Sequence, residues 1–180
     1  MSDPSDLPAG DFGAWLTTMQ AALRGETDAD VPCGGCSACC TASQFVQIGP
    51  EETDTLAHIP KALLFPAPGR SKGHFVLGYD ERGHCPMLSE GRCSIYDHRP
   101  RTCRTYDCRI FAAAGLDVDA EDSHKVEIAR RSRRWRFDFP AEEDRRRHKA
   151  VRAAVRTVRA TSVTHLAVRA IESCDEFLER

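Results

Sequence analysis

The apolar residues near the start of the chain recur at the spacing of an α-helix. They are Phe12, Trp15, Leu16, Met19 and Leu23. Because residues three and four apart lie on one face of a helix, this pattern predicts a helix from about Asp11 to Arg24. Gly25 follows, and glycine often ends a helix. The predicted helix leads towards the first cysteines of the chain.

A short strand and a second helix are predicted after these cysteines. Residues 45–48 read Phe-Val-Gln-Ile, which is typical of a strand. Pro50 and the two glutamates after it favour the start of a helix, which should end near His58. Residues 61–72 contain two prolines and a glycine, so we expect a loop there.

Two tight turns are predicted around the later cysteines. Residues 75–77 and 85–88 flank Asp-Glu-Arg-Gly at positions 80–83. This arrangement predicts a hairpin that returns the chain to the sheet. A second tight turn at residues 89–92 should present the next cysteine, Cys93.

Helices account for most of the rest of the chain. Pro100 favours the start of a helix that carries Cys103 and ends before Cys108, because five residues exceed the one-turn spacing. Apolar stripes at residues 151–158 and 163–178 predict two packed C-terminal helices.

These elements predict an α+β fold. We expect a small cysteine-rich core with a short β-hairpin or sheet, flanked by the N-terminal helix and the C-terminal helical pair. The chain has 180 residues, of which 41% are hydrophobic, and this fits a single domain over residues 1–180. Residues 31–110 are expected to form the cysteine-cluster core and residues 120–180 the helical C-terminal part.

The composition favours a cytoplasmic protein whose cysteines bind metal. The polar and acidic start lacks the basic and apolar segments of a secretory signal, and no apolar run approaches the length of a membrane span. We therefore expect no membrane association. In a reducing compartment, nine cysteines favour metal ligation over disulfide bonds.

Positive charge is concentrated near the C-terminus. Residues 130–160 contain twelve Arg or Lys against four acidic residues. Nucleic acid is one candidate partner for these arginines, but a solvated helical face is favoured because acidic residues lie among them. The alternating Trp135, Phe137 and Phe139 indicate either a stacking edge or an extended segment that covers the core. The sequence identifies no protein partner.

The cysteines fall into two groups whose spacing suits a thiophilic metal. The candidate ligands are Cys33, Cys36, Cys39, Cys40, Cys85, Cys93, Cys103 and Cys108. Two-residue spacers let the chain curl so that thiolates face one centre, and Gly34 and Gly35 permit such a curl. Adjacent side chains diverge in an extended chain, so Cys39 and Cys40 would need an unusual turn to reach one ion. One of the two is a candidate for a second metal, for a polynuclear cluster, or for a supporting role beside the metal ligands.

The motif resembles that of the CxxCxxCC family, also called the YkgJ family, over roughly residues 31–110. It reads Cys33-x2-Cys36-x2-Cys39-Cys40, Cys85-Pro86 and Cys93-x-Ile95-Tyr96-x2-Arg99-Pro100-x2-Cys103-Arg104-x-Tyr106-x-Cys108. The resemblance implies chelation of zinc or iron, without a settled reaction. Flagellin lysine methylases look similar in their cysteine segment and are iron-sulfur methyltransferases, but they are much longer chains.

The sequence leaves the metal and its chemistry open. Eight thiols suit two four-sulfur zinc sites or one iron-sulfur cluster with thiols to spare, and the vicinal pair slightly favours iron. Zinc would indicate a structural or storage role, whereas a cluster would permit a redox or methyl-transfer enzyme. A zinc-stabilised module that binds nucleic acid or protein is a third alternative.

Several other residues are weighed beside the cysteines. His84 and His98 neighbour motif cysteines, but thiols are the favoured ligands. Tyr96, Arg99 and Arg104 are expected either to orient the site or to serve in capping and ion pairs. The site's negative charge also needs compensation from nearby arginines. These are Arg92, Arg99, Arg101, Arg104 and Arg109. Cys174 lies on the apolar face of the last helix and is expected to be a buried packing residue.

Overall fold

A computed structural model describes residues 5–29, 31, 35–118 and 123–178 of the chain. The chain divides into two compact units. The first comprises the described residues of Met1–Ala29 and Asp107–Arg180, and the second those of Asp30–Tyr106. Helices and short strands occur in both units, so the predicted α+β class is confirmed. The single domain and its inner boundaries stay predictions.

The helices and strands are short apart from three helices in the first unit. The strands are β1 (Leu7–Asp11), β2 (Val46–Ile48), β3 (Leu64–Pro66), β4 (Phe75–Leu77), β5 (Leu88–Ser89), β6 (Arg92–Cys93) and β7 (Trp135–Asp138). The helices are α1 (Phe12–Arg24), α2 (Thr53–His58), α3 (Arg101–Thr105), α4 (Arg109–Ala114), α5 (Val126–Ser132), α6 (Glu142–Thr157) and α7 (Val163–Glu172). Several single 3-10 turns join them.

Helix α1 confirms the prediction made from the apolar spacing. The carboxylate of Asp11 accepts a hydrogen bond from the Ala14 amide at 2.9 Å and so caps the first turn. Gly25 ends the helix in the left-handed conformation at a φ of 86°. Trp15 and Leu16 are buried on the apolar face that the sequence indicated.

The first unit contains a parallel pair of strands, of which only β7 lies in a segment that was expected to be extended. Strand β1 runs beside β7, with Leu7 opposite Trp135 and Asp11 opposite Asp138. The alternating aromatic segment is therefore an extended strand, one of the two forms expected for it. Phe137 contacts Phe12 edge to face, with ring centroids 5.2 Å apart.

The predicted C-terminal helical pair is confirmed as α6 and α7. Val151 and Ala154 are buried on α6, and Ala167 and Ile171 are buried on α7. These residues pack with α1 and α4 into the core of the first unit. Within the described part of the chain, no helix combines the length and apolarity needed to cross a membrane.

The second unit contains a three-stranded antiparallel sheet in the order β2, β4, β3. Strand β2 and the end of α2 at His58 agree with the predictions, although α2 begins at Thr53 and not at Pro50. The predicted loop at 61–72 was wrong in part, because β3 lies within it and pairs with β4. This strand is short, lies at the edge of the sheet and ends at Pro66. Proline has no backbone N–H to donate, so it is tolerated in an edge strand but not in a central one.

The predicted hairpin between residues 75–77 and 85–88 was also wrong. Strand β4 pairs with β2 and β3 instead, and residues 80–84 form a turn outside the sheet. The second tight turn is confirmed, since β5 and β6 pair around Glu90 and Gly91. Both residues have positive φ, at 50° and 76°, as a two-residue hairpin turn of this kind requires.

Candidate metal centre

The predicted cysteine ligands are divided between the two units. Cys33 lies outside the described residues. The second unit contains Cys36, Cys39, Cys40, Cys85, Cys93 and Cys103, whereas Cys108 belongs to the first unit. No disulfide bond joins any of the eight cysteines that the structure describes. Both sequence groups therefore contribute thiols to the second unit.

A 3-10 turn brings the vicinal thiols together. Residues Ala38–Thr41 form this turn, and the Cys40 amide donates a hydrogen bond to the Ser37 carbonyl at 2.8 Å. The Cys39 thiol lies against the Cys40 thiol. This contact, followed by the crowding of protein atoms around the sulfur, raises the pKa of the Cys39 thiol well above its usual range, although the residue still reaches solvent. The turn supplies the local geometry that an extended chain would lack.

Backbone hydrogen bonds join the two cysteine groups. The Cys85 amide donates to the Cys40 carbonyl at 2.7 Å, and the Ser43 amide donates to the Gly83 carbonyl at 2.9 Å. Two segments that are far apart in sequence therefore lie side by side. Gly83 has a φ of 80°, so the turn that returns Cys85 relies on a conformation that glycine adopts readily.

The apolar core of the second unit supports Cys85 and Cys93. Both pack against a buried cluster of Ile48, Ile59, Leu77, Met87 and Ile95. Cys93 lies on β6 opposite Leu88, whose amide donates to the Cys85 carbonyl at 2.9 Å. Burial raises the pKa of the Cys85 thiol, and the thiols of Cys93 and Cys39 act in the same direction. The core thus fixes these two sulfurs near the vicinal pair.

Cys103 is presented by α3, which was predicted to carry it. The Arg101 amide donates to a Glu52 carboxylate oxygen at 2.9 Å, and the Thr102 hydroxyl donates to the Gln47 carbonyl at 2.7 Å. Burial first, and then the thiols of Cys39, Cys85 and Cys93, raise the pKa of Cys103 to about 12. Cys103 therefore shares one electrostatic environment with cysteines of both groups.

Arg99 is held beside this environment by Tyr96. Its Nε donates to the Tyr96 carbonyl at 2.7 Å, and its guanidinium carbon lies 3.6 Å from the centre of the Tyr96 ring. The positive charge of Arg99 acts to lower the pKa of Cys103, against the other influences. The geometry favours the expected orienting and charge-compensating role for this Tyr-Arg pair, which remains a prediction.

The chemistry of these donors fits a thiophilic cation. Crowded thiols with raised pKa values resist forming several thiolates at once, and a bound cation removes that repulsion. Within the described residues, no three cysteine sulfurs all lie within 4.8 Å of one another. In a tetrahedral zinc site, adjacent sulfurs would be about 3.8 Å apart. Zinc ligation would therefore draw these thiols closer together.

Cys108 has surroundings of a different kind. The Trp135 indole N–H donates to its sulfur at 3.1 Å. Its neighbours Asp107 and Arg109 form a buried ion pair at 2.8 Å, and Asp107 accepts a hydrogen bond from the Trp15 indole at 2.8 Å. These contacts anchor Cys108 within the first unit. They could not be read from the motif, because its spacing does not show where the units divide.

Cys174 is fully buried, as predicted, with 0% of its surface exposed. Burial, and then the charge of Asp175, raise the pKa of this thiol to about 11. The Gln20 side-chain amide donates to its sulfur at 3.4 Å. A buried packing role explains these contacts without a metal.

Sequence reasoning missed a cluster at the surface of the second unit. One ligand atom each from Asp54, His58 and His98 lies within 4.8 Å of the others. The Asp54-x3-His58 spacing on α2 was a usable signal, because residues four apart share a helix face. Nδ1 of His98, which was weighed as a neighbour of the motif cysteines, lies within hydrogen-bond distance of an Asp54 carboxylate oxygen, at 2.7 Å.

Many of the arginines in the basic segment make ion pairs within the first unit. The pairs are Arg130 with Glu127, Arg133 with Asp117, Arg136 with Asp6, Arg145 with Glu142, and Arg146 with Glu143. Most of these side chains are solvent-exposed. Such pairs are the usual pattern of a solvated helical surface.

Comparison with known families identifies the class of protein. Residues 32–128 match the family model CxxCxxCC, described as "Putative zinc- or iron-chelating domain". The match spans more than half of the chain and contains every motif cysteine, so the chain belongs to the CxxCxxCC family. No curated protein and no solved structure matches it.

Proposed function

We propose that the second unit chelates a metal through thiols from both cysteine groups. The ligand candidates within it are Cys36, Cys39, Cys40, Cys85, Cys93 and Cys103, with Cys33 added from the motif. The observation that carries this proposal is the backbone hydrogen bond from the Cys85 amide to the Cys40 carbonyl, at 2.7 Å, which brings the two groups together. The influence of the Cys39, Cys85 and Cys93 thiols on Cys103 supports it. The family description independently supports zinc or iron as the metal.

An iron-containing cluster is the form that we favour. A closed zinc site uses four ligands, whereas the second unit has six described thiols. The vicinal pair places two sulfurs on one short turn, which suits a centre with several metal ions better than one tetrahedral ion. When bound, such a cluster would supply electron-transfer chemistry. The protein's own residues would bind it and compensate its charge, and Arg99, whose positive charge acts on Cys103, is a candidate for this role.

The proposal places the protein in the cytoplasm. Thiolate sites persist where glutathione and thioredoxin keep cysteines reduced. We do not include Cys108 in this ligand set, because it belongs to the first unit and contacts Trp135 there. Its role as a ligand stays a prediction from the motif.

Matched cysteine variants test the assignment. Cys36→Ser and Cys103→Ser should each lower the metal content of protein purified without oxygen, whereas Cys174→Ser should retain it. Serine keeps the size of the side chain but removes the soft sulfur donor. Metal content measured per folded protein in all three variants gives the answer. Equal loss in all three, or no loss in any, would remove the proposed ligand set.

A further inference from the structure

We propose that Asp54, His58 and His98 form a second metal site, separate from the cysteines, for a divalent transition-metal ion. Asp54 and His58 lie four residues apart on α2 and therefore face the same side of it. His98 ends the 3-10 turn Tyr96–His98, so the site joins two distinct elements of the second unit.

The distances show that the three side chains converge. Nδ1 of His98 lies 2.7 Å from Oδ2 of Asp54, and Nδ1 of His58 lies 3.7 Å from Oδ1 of the same carboxylate. The two imidazole rings stack in parallel, with centroids 3.5 Å apart and planes 6° apart. One carboxylate thus faces two imidazoles from the same side.

The stacking holds the two imidazoles beside one carboxylate. Neutral imidazole is the form that binds metals. His58 also places Nδ1 2.8 Å from the Asp54 backbone carbonyl, which only an N–H can approach favourably. The hydrogen on Nδ1 leaves Nε2 of His58 with its lone pair available, and a backbone carbonyl commonly orients a metal-binding histidine in this way.

The donor set indicates the class of ion. Two imidazoles and one carboxylate suit Zn²⁺, Ni²⁺ or Fe²⁺, whereas Ca²⁺ and Mg²⁺ prefer oxygen ligands alone. The side chains of His58 and His98 are 41% and 38% exposed, and that of Asp54 is 68% exposed. An ion would reach the site from solvent and keep water in its remaining positions.

This site would act on the segment that carries the cysteines. His98 is five residues from both Cys93 and Cys103. An ion shared with α2 would therefore fix the turn between two proposed thiol ligands. The two metal sites nevertheless have different donors, so their occupancy can be measured separately.

The test is a Ni²⁺ titration of the full chain as purified, with its cysteine-bound metal left in place. We expect one additional Ni²⁺ per chain, with binding at least about tenfold weaker in His98→Gln and in Asp54→Asn. His74→Gln and Asp97→Asn serve as matched controls and should bind as the unaltered chain does. Nickel-induced changes should appear in the NMR signals of the His58 and His98 rings.

Three outcomes would overturn this site. They are no nickel beyond the cysteine-bound metal, equal nickel binding in all variants, and loss of binding in the control variants as well. Should His98→Gln fail to fold, His58→Gln at the exposed end of α2 gives the same comparison. Cys103→Ser should retain the additional nickel, so failure of the cysteine proposal is distinguishable from failure of this one.

Discussion

The Cys85 amide donates a hydrogen bond to the Cys40 carbonyl at 2.7 Å. This bond joins the two cysteine groups, which are separated by more than forty residues in the sequence. A neighbouring bond from the Ser43 amide to the Gly83 carbonyl runs beside it at 2.9 Å. Together they hold the turn that follows the sheet against the turn that carries the vicinal thiols.

Gly83→Ala should weaken metal binding by loosening this junction. Alanine at a φ of 80° is strained by about 1–2 kcal/mol, and relief of that strain would shift Cys85 relative to Cys40. Gly69→Ala is the matched control, since Gly69 has a φ of 69° and open space around an added Cβ. Both variants should lose similar stability in urea unfolding, but only Gly83→Ala should lose metal affinity. Equal metal affinity in the two variants would show that the junction does not position the ligands.

The buried Asp107–Arg109 pair should contribute strongly to the first unit. Asp107 is 1% exposed and also accepts the Trp15 indole hydrogen bond. Asp107→Ala leaves the Arg109 charge without its carboxylate, which costs about 3–5 kcal/mol for a buried pair. The exposed Arg130–Glu127 pair provides the comparison, and Arg130→Ala should cost less than about 1 kcal/mol. Denaturant unfolding measures both, and similar small losses would contradict the assigned role of Asp107.

Gly13→Ala should destabilise the protein, although the same change in a helix is usually favourable. A Cβ at Gly13 would lie 2.2 Å from Oδ1 of the buried Asp144. That carboxylate is fixed by the Ala141 amide at 2.9 Å, so it cannot yield without losing a hydrogen bond at the start of α6. We expect a loss of about 1–3 kcal/mol. In the Asp144→Ala background the added methyl should cost nothing further, and a stabilising Gly13→Ala would contradict this packing.

His148 should make stability depend on pH below neutrality. Burial, followed by the positive charge of Arg152, lowers the pKa of His148 from its usual 6.5. Its ring packs against both Phe12 and Phe139, with centroids 4.9 and 5.1 Å away. The unfolded chain binds a proton more readily, so this contribution is present above pH 6.5 and lost as the pH falls through the lowered value.

The variant His148→Phe keeps an aromatic ring but removes this titration. Its stability should therefore fall less between pH 7.5 and pH 5 than that of the unaltered chain. His165→Gln, a change at an exposed histidine, should leave the pH profile as it was. The midpoint of thermal unfolding, measured across this pH range for each variant, tests the prediction. Parallel profiles for the unaltered chain and His148→Phe would show that another group controls the pH dependence.

Sequence patterns predicted the helices and strands whose determining residues all lie within one short segment. Helix α1 has apolar residues at helical spacing and residues suited to both caps, Asp11 and Gly25, so its bounds agree closely. The strand pair β1 and β7 was beyond such reasoning, because Leu7 pairs with Trp135. Strand β3 was not predicted, because the prolines of this segment favoured a loop. Its pairing with β4 depends on a tertiary contact and not on its own composition.

The candidate site shows the same division. The cysteine spacing predicted the ligand types and their two groups, and the 3-10 turn explains how Cys39 and Cys40 meet. The cluster of Asp54, His58 and His98 could not be predicted, because Asp54 and His98 are 44 positions apart in the sequence and only the fold brings them together. The placement of Cys108 in the first unit could not be predicted either, because the motif does not show where the two units divide.

Metal analysis of protein purified without oxygen, combined with its absorbance spectrum, tests the central claim most directly. The account predicts stoichiometric metal bound through the thiols of the second unit. For an iron-sulfur cluster, absorbance at about 400 nm should bleach on reduction. Colourless protein with stoichiometric zinc would keep the chelation claim but contradict the iron assignment. Folded protein without stoichiometric zinc or iron would contradict the central claim itself.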